Sequence, residues 1–135
     1  MTPEEEEKKA LSGVRMEHAR ECLRTARVNY RHKDYRASAN RSYYAIFHAM
    51  RAVLAFDGID RQKHSAVIAE FRRLYVKTGI FSEEISDIIG NAFDLRTEAD
   101  YDDFYVADAE NVWKQIVNAA KLITEIEQYL KSKQC

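Results

Sequence analysis

The chain has 135 residues, 46% of them apolar and 32% charged, with 21 Lys and Arg against 22 Asp and Glu and a net charge of −1. That length fits one domain with a core of its own, and the whole-domain charge balance is not basic, which argues against a uniformly basic nucleic-acid coat. No apolar run approaches the roughly 18 residues a membrane span needs. The start, Met1-Thr2-Pro3-Glu4-Glu5, is acidic where a signal peptide is basic and then apolar, so a cytoplasmic protein is expected.

Four Gly and one Pro, at position 3, leave little to break helices, and the apolar period is helical throughout. The pattern predicts an all-α single domain over residues 1–135. A first helix from about Glu4 to Tyr30 buries Leu11, Val14, Ala19, Cys22, Leu23, Ala26 and Tyr30. It breaks at Arg31-His32-Lys33, and Asp34 caps a second helix that runs to Phe56 and stops at Asp57-Gly58. A third helix starts near Lys63-His64-Ser65, buries Val67, Ile68, Phe71, Leu74 and Tyr75, and ends at Gly79. Ser82 caps a fourth, which buries Ile85, Ile88, Ile89, Ala92, Phe93 and Leu95 and frays from Arg96 to Tyr101. A fifth carries Val106, Ala109, Val112, Trp113, Ile116, Val117, Ala120, Ile123, Ile126 and Leu130. Short connections favour antiparallel neighbours, hence an up-and-down four-helix bundle with one additional short helix. The second helix is apolar over more than half its circumference, so it is either central or part of an interface, and a homodimer is expected.

That second helix also carries the most informative chemistry. Beside its buried stripe of Ala39, Tyr43, Ile46, Phe47, Met50, Val53 and Leu54 runs a second stripe of Arg41, Tyr44 and His48. Arg41 and His48 are two turns apart, about 10 Å along the axis, with Tyr44 between them. An arginine beside a core seam needs partners for its five donors. The plainer reading makes the tyrosines core or interface aromatics and the histidine a satisfied structural group.

Charge is distributed unevenly. From Arg15 to Arg41 there are eight basic and three acidic residues, whereas Glu83 to Glu110 holds ten acidic residues and only Arg96 to oppose them. Arg20, Arg24, Arg27 and Arg31 fall on one helix face, either as a phosphate-tracking surface or as a solvated face partly paired with Glu17, Glu21 or the acidic fourth and fifth helices. The glycine loops, nucleophile elbows and zinc signatures of common enzymes are absent. Cys22 lies in a core stripe, a poor setting for a nucleophile, and Cys135 is the last residue, so neither a disulfide framework nor a metal or cofactor site is expected.

The ordered series Asn40-Arg41-Ser42-Tyr43-Tyr44-Ala45-Ile46-Phe47-His48-Ala49, Lys63-His64-Ser65, Val76-Lys77-Thr78-Gly79, then Arg96 with Ala99-Asp100-Tyr101 resembles the HEPN domain family. It is most similar to the small stand-alone prokaryotic branch, over roughly residues 12 to 130. The resemblance implies a dimeric helical bundle, a minimal nucleotidyltransferase as partner in a toxin and antitoxin pair, and action on RNA or a nucleotide. Active members of the family are metal-independent endoribonucleases with an Arg, four to six residues, and then a His. Here Arg96 is followed by Asp100-Tyr101, and no histidine comes after it. By spacing alone Arg41 with His48, or Arg27 with His32, also fit that pattern.

The resemblance makes Arg96, Asp100 and Tyr101 the candidate catalytic set, and Arg41, Tyr44, His48, Lys63 and His64 the candidate RNA- or nucleotide-binding set. Metal-free RNA cleavage needs a base near the 2′-hydroxyl, a cation for the phosphorane charge and an acid for the leaving oxygen. Arginine and histidine suit those roles, whereas an ionised aspartate repels the phosphate. Two functions follow. One is an RNA-directed toxin with these residues in one groove, Arg96 reaching toward Arg41, Tyr44 or His48. The other is a non-catalytic dimeric module that binds a nucleotidyltransferase, with Tyr101 a target for modification.

Overall fold

Helix starts and stops are set by local chemistry that a computed structural model of residues 1–103 and 106–134 makes visible. Its five α-helices are α1 (Pro3–Arg31), α2 (Tyr35–Phe56), α3 (His64–Phe71), α4 (Glu83–Tyr101) and α5 (Ala109–Lys133). Thr2 Oγ1 accepts from the Glu5 amide at 3.1 Å, with Pro3 in the first turn and Glu4, Glu5 and Glu6 against the positive end of the helix. Asp34 caps α2 by accepting from the Ala37 amide. Ser82 precedes α4 as its N-cap residue, but its side chain makes no capping bond.

Two helix ends use the same closing turn with different residues. At Gly58 (φ 77°) the Gly58 amide donates to Ala55 and the Ile59 amide to Leu54. At the end of α1 the left-handed position is held by Lys33 (φ 62°), with Asp34 N–H donating to Asn29. Only glycine adopts that conformation freely, so Lys33 carries a local cost.

Helix α2 is central: it packs on α1, α3, α4 and α5. Tyr43, Ile46, Met50, Val53 and Leu54 are all sealed from solvent. The apolar circumference that suggested an interface is therefore covered within the chain. α1 and α2 run antiparallel, since Ala26 meets Ser38 and Arg15 meets Arg51.

Several boundaries and faces differ from the sequence pattern. The third helix does not continue as α-helix to Gly79: Arg72–Val76 form a π-helical turn, closed by Lys77 N–H on Arg72 C=O. The wider turn lets Phe71, Tyr75 and Val76 all face the core. Helix α4 stays helical through Arg96 to Tyr101 instead of fraying, and it buries Ala99 while Phe93 and Leu95 are half-buried. α1 is rotated so that Ser12, Arg15 and Met16 turn inward and Leu11 and Val14 outward. α5 buries Gln115, Ala119 and Leu122, leaves Trp113 and Val117 about half exposed, and starts after Val106, which is exposed. Cys135 lies outside the described residues.

Candidate functional site

From Ser38 to Ala55 every residue of α2 is buried except Asn40, Arg41, Tyr44, His48 and Arg51, which are half-buried. Their spacing places them on one face, so between Ser38 and Ala55 α2 meets solvent along a stripe of amide, guanidinium, phenol and imidazole groups. α4 and the start of α3 flank this stripe on one side, and α1 brings His18 to the other.

Arg96 reaches α2 from α4. Its Nη2 donates to the Tyr44 hydroxyl at 3.4 Å, and its guanidinium stands 5.5, 5.7 and 5.9 Å from the ring centres of Tyr43, Tyr44 and Tyr101. Asp100, one turn on, lies 2.8 Å from Arg96 Nε, yet the contact lacks the alignment of a hydrogen bond and leaves that nitrogen without a hydrogen-bond partner. Asn40 Nδ2 donates to the same carboxylate oxygen at 3.5 Å. Asn40 also accepts two bonds from Arg41, at 3.1 and 2.7 Å, and the Arg41 guanidinium lies 5.0 Å from the Tyr44 ring centre. Beside them is a depression of about 340 Å³ lined by Asn29, Asp34, Arg36, Ala37, Asn40, Arg41 and Asp100.

Two histidines edge the same tyrosines. His64 shares a 2.8 Å hydrogen bond with the Tyr43 hydroxyl through Nδ1 and stacks on Phe47, ring centres 4.3 Å apart. Burial, with Arg96 and Arg51 adding to it, lowers its pKa. The ring of His48 is tilted against Tyr44 and T-shaped against His18. Burial first, then His18 and the arginines Arg51, Arg41 and Arg15, hold the His48 imidazole down at about 4, so it is neutral at pH 7. Burial also pushes the Tyr43 phenol up to about 12, against the pull of Arg96.

The structure thus gathers Arg96, Asp100, Arg41, Tyr44, His48 and His64 around one stripe. Tyr101 is exposed at its edge, and Lys63 stands exposed just before α3. Sequence reasoning missed Asn40, although it lies one turn before Tyr44 on the same face. It also missed Arg51, one step beyond His48 at the same helical spacing. The basic face of α1 is partly satisfied: Arg20 pairs with Glu127 and Glu17, and Arg24 with Glu17. Burial raises the pKa of the Cys22 thiol, which keeps it protonated. Among the described residues no group of three or more His, Cys, Asp or Glu is placed to hold a metal ion, and no helix is long and apolar enough to cross a membrane.

The sequence model of the HEPN domain matches residues 13–130. The chain belongs to the HEPN domain family. A "UPF0332 protein" of Thermotoga maritima is 34% identical over 113 residues, 84% of this chain and 86% of that protein. A Methanocaldococcus jannaschii protein named "Putative toxin MJ0605" is 34% identical over 118 residues, 86% of each chain. A second protein of that organism, "Putative toxin MJ0142", is 27% identical over 87% of this chain and 80% of its own length. In this HEPN chain no histidine follows Arg96 in sequence, but in space His64 and His48 both border Tyr44, which Arg96 touches.

Proposed function

We propose that this HEPN protein is a toxin-type component that binds RNA, or a nucleotide, along the α2 stripe, and that a minimal nucleotidyltransferase is its partner. The observation that carries the reading is the burial pattern of α2: its solvent-facing stripe is made of cations and flat rings, the two groups that grip phosphates and stack on unpaired bases. The toxin names of two relatives support the biological role. The nucleotidyltransferase rests on the family resemblance.

Two of the three groups that metal-independent cleavage requires, a cation and a base, are available along the stripe, and the acid for the leaving oxygen is not assigned to a residue. Arg96 and Arg41 are cations for a phosphorane, and the imidazoles of His48 and His64, with pKa values below the ordinary one, are bases at neutral pH. The working form is a homodimer of up-and-down four-helix bundles, each with one short extra helix. Exposed Trp113, Val117 and Val28 offer apolar surface for a second copy to bury.

One observation favours the non-catalytic alternative, a dimeric module that serves only to bind the nucleotidyltransferase: Arg96 is already paired with Asp100, and both side chains are largely covered, 16% and 26% exposed. Growth assays and RNA-binding titrations with Arg96→Ala decide between them, alongside pull-down of an adjacent-gene nucleotidyltransferase. Loss of toxicity and binding in a folded variant supports the RNA reading. Unchanged toxicity and binding, with only a lower melting temperature, supports the module.

A further inference from the structure

Beyond His48 the α2 stripe ends in a second group of cations. Arg51 Nη2 and Arg15 Nη2 converge on a single oxygen, Asp60 Oδ1, at 2.9 and 3.1 Å. Arg15, only 9% exposed, also donates through Nη1 to the Arg51 carbonyl at 3.3 Å. The Arg51 side chain is 19% exposed, and its buried Nε has no hydrogen-bond partner. His18 and His48 stack edge to face close by. Each guanidinium has five N–H donors, so one carboxylate oxygen satisfies few of them. That carboxylate sits in the turn between α2 and α3, and its side chain is 57% exposed. It can leave without unfolding a helix, whereas the Arg15 and Arg51 side chains are largely buried, 11% and 19% exposed.

The geometry points to a phosphate subsite formed by Arg15 and Arg51, filled in the free protein by the Asp60 carboxylate and taken over by a phosphodiester of an RNA strand lying along the stripe. The inference rests on the RNA reading of α2 and adds a second anchor to it. Both ligands carry one negative charge and two oxygens, but the Asp60 carboxylate meets both guanidiniums through Oδ1 alone, whereas a tetrahedral phosphodiester can present one free oxygen to each. Ten residues separate Arg41 from Arg51, about 15 Å along the helix, which leaves room for a short run of unpaired nucleotides between the anchors, with Tyr44 and His48 as stacking surfaces.

The test compares wild type, Asp60→Asn, Asp60→Asn with Arg51→Ala, and Asp87→Asn, an exposed carboxylate off the stripe that controls for charge. Each is titrated with a fluorescent single-stranded RNA over a range of salt, and separately with inorganic phosphate while thermal unfolding is followed. Asp60→Asn is expected to bind the RNA about three- to tenfold more tightly, with a salt slope steeper by about 0.7, one added phosphate contact. Phosphate is expected to raise its melting temperature more than that of wild type. Adding Arg51→Ala should abolish both gains, and Asp87→Asn should show neither. If wild type binds RNA and Asp60→Asn gains no more than Asp87→Asn, the subsite is overturned while the stripe reading stands. If no protein binds RNA but phosphate still stabilises Asp60→Asn through Arg51, the anion subsite stands and the RNA reading falls. If neither ligand responds to Asp60→Asn, Asp60 is only the counter-ion of two structural arginines.

Discussion

Arg96 Nε and Asp100 Oδ2 lie 2.8 Å apart, one turn from each other at the end of α4, and the pair rests against Tyr44 of α2. An arginine held in this way is pre-positioned but partly neutralised, so its contribution to ligand binding is measurable only against a folded control. Arg96→Ala should weaken RNA binding by about tenfold or more, the scale of a charge-assisted hydrogen bond lost, and relieve growth inhibition. Arg27→Ala, on the exposed face of α1, should reduce only the salt-dependent part of binding. Filter binding at two salt concentrations, with melting curves beside it, separates these effects.

His48 gives the fold a defined acid sensitivity. Its folded pKa of about 4 is below the ordinary 6.5, so between those values the unfolded chain binds more protons and stability falls as pH drops. His64 is shifted in the same direction and adds to the trend. After discounting for partial exposure, His48 should cost about 1 kcal/mol on going from pH 7.5 to pH 5. Urea unfolding at the two pH values checks this, and His48→Gln should remove much of the difference. A variant with the wild-type pH dependence would assign it to other groups.

Gln115 is the polar link between α5 and α2. Its Nε2 donates to the Ala39 carbonyl at 2.9 Å and to Ser42 Oγ at 2.6 Å, with the amide buried. Gln115→Met keeps the volume and loses both bonds, which should cost about 1–3 kcal/mol. Equilibrium denaturation with an unchanged slope would confirm a loss of stability rather than a change of fold.

Lys33→Gly should stabilise the chain by about 0.5–1 kcal/mol, because glycine takes the φ of 62° without the clash a Cβ creates. For a domain of this size that is a rise of about 2–4 °C in melting temperature. A fall would mean that the Lys33 side chain makes contacts that outweigh its backbone cost.

Light scattering at micromolar concentration should report twice the chain mass, and Trp113→Glu should shift it toward the monomer. Trp113, 48% exposed, and Val117, 50% exposed, are the apolar groups of α5 that the chain leaves uncovered. A wild-type monomer would remove the dimer from the proposed function.

What local chemistry controls was legible in the sequence: the all-α class, the Asp34 cap, the break at Arg31-His32-Lys33, the stop at Asp57-Gly58 and the stripe of Arg41, Tyr44 and His48 follow from helical spacing, an N-cap carboxylate and a glycine that holds a left-handed turn. Fine rotation was not. Leu11, Val14, Trp113 and Val117 read as core because apolar residues occur on more than one side of α1 and α5, and only contact with α2 selects which side is buried. The π-helical turn at Arg72–Val76 is invisible to a 3.6-residue period because three core side chains impose it together. The meeting of Arg96 with Tyr44, and of Arg15 and Arg51 on Asp60, joins residues 52, 45 and 9 positions apart. Such convergence depends on how whole helices pack, which no local pattern encodes, so tertiary structure alone decided where the cations of this chain are gathered.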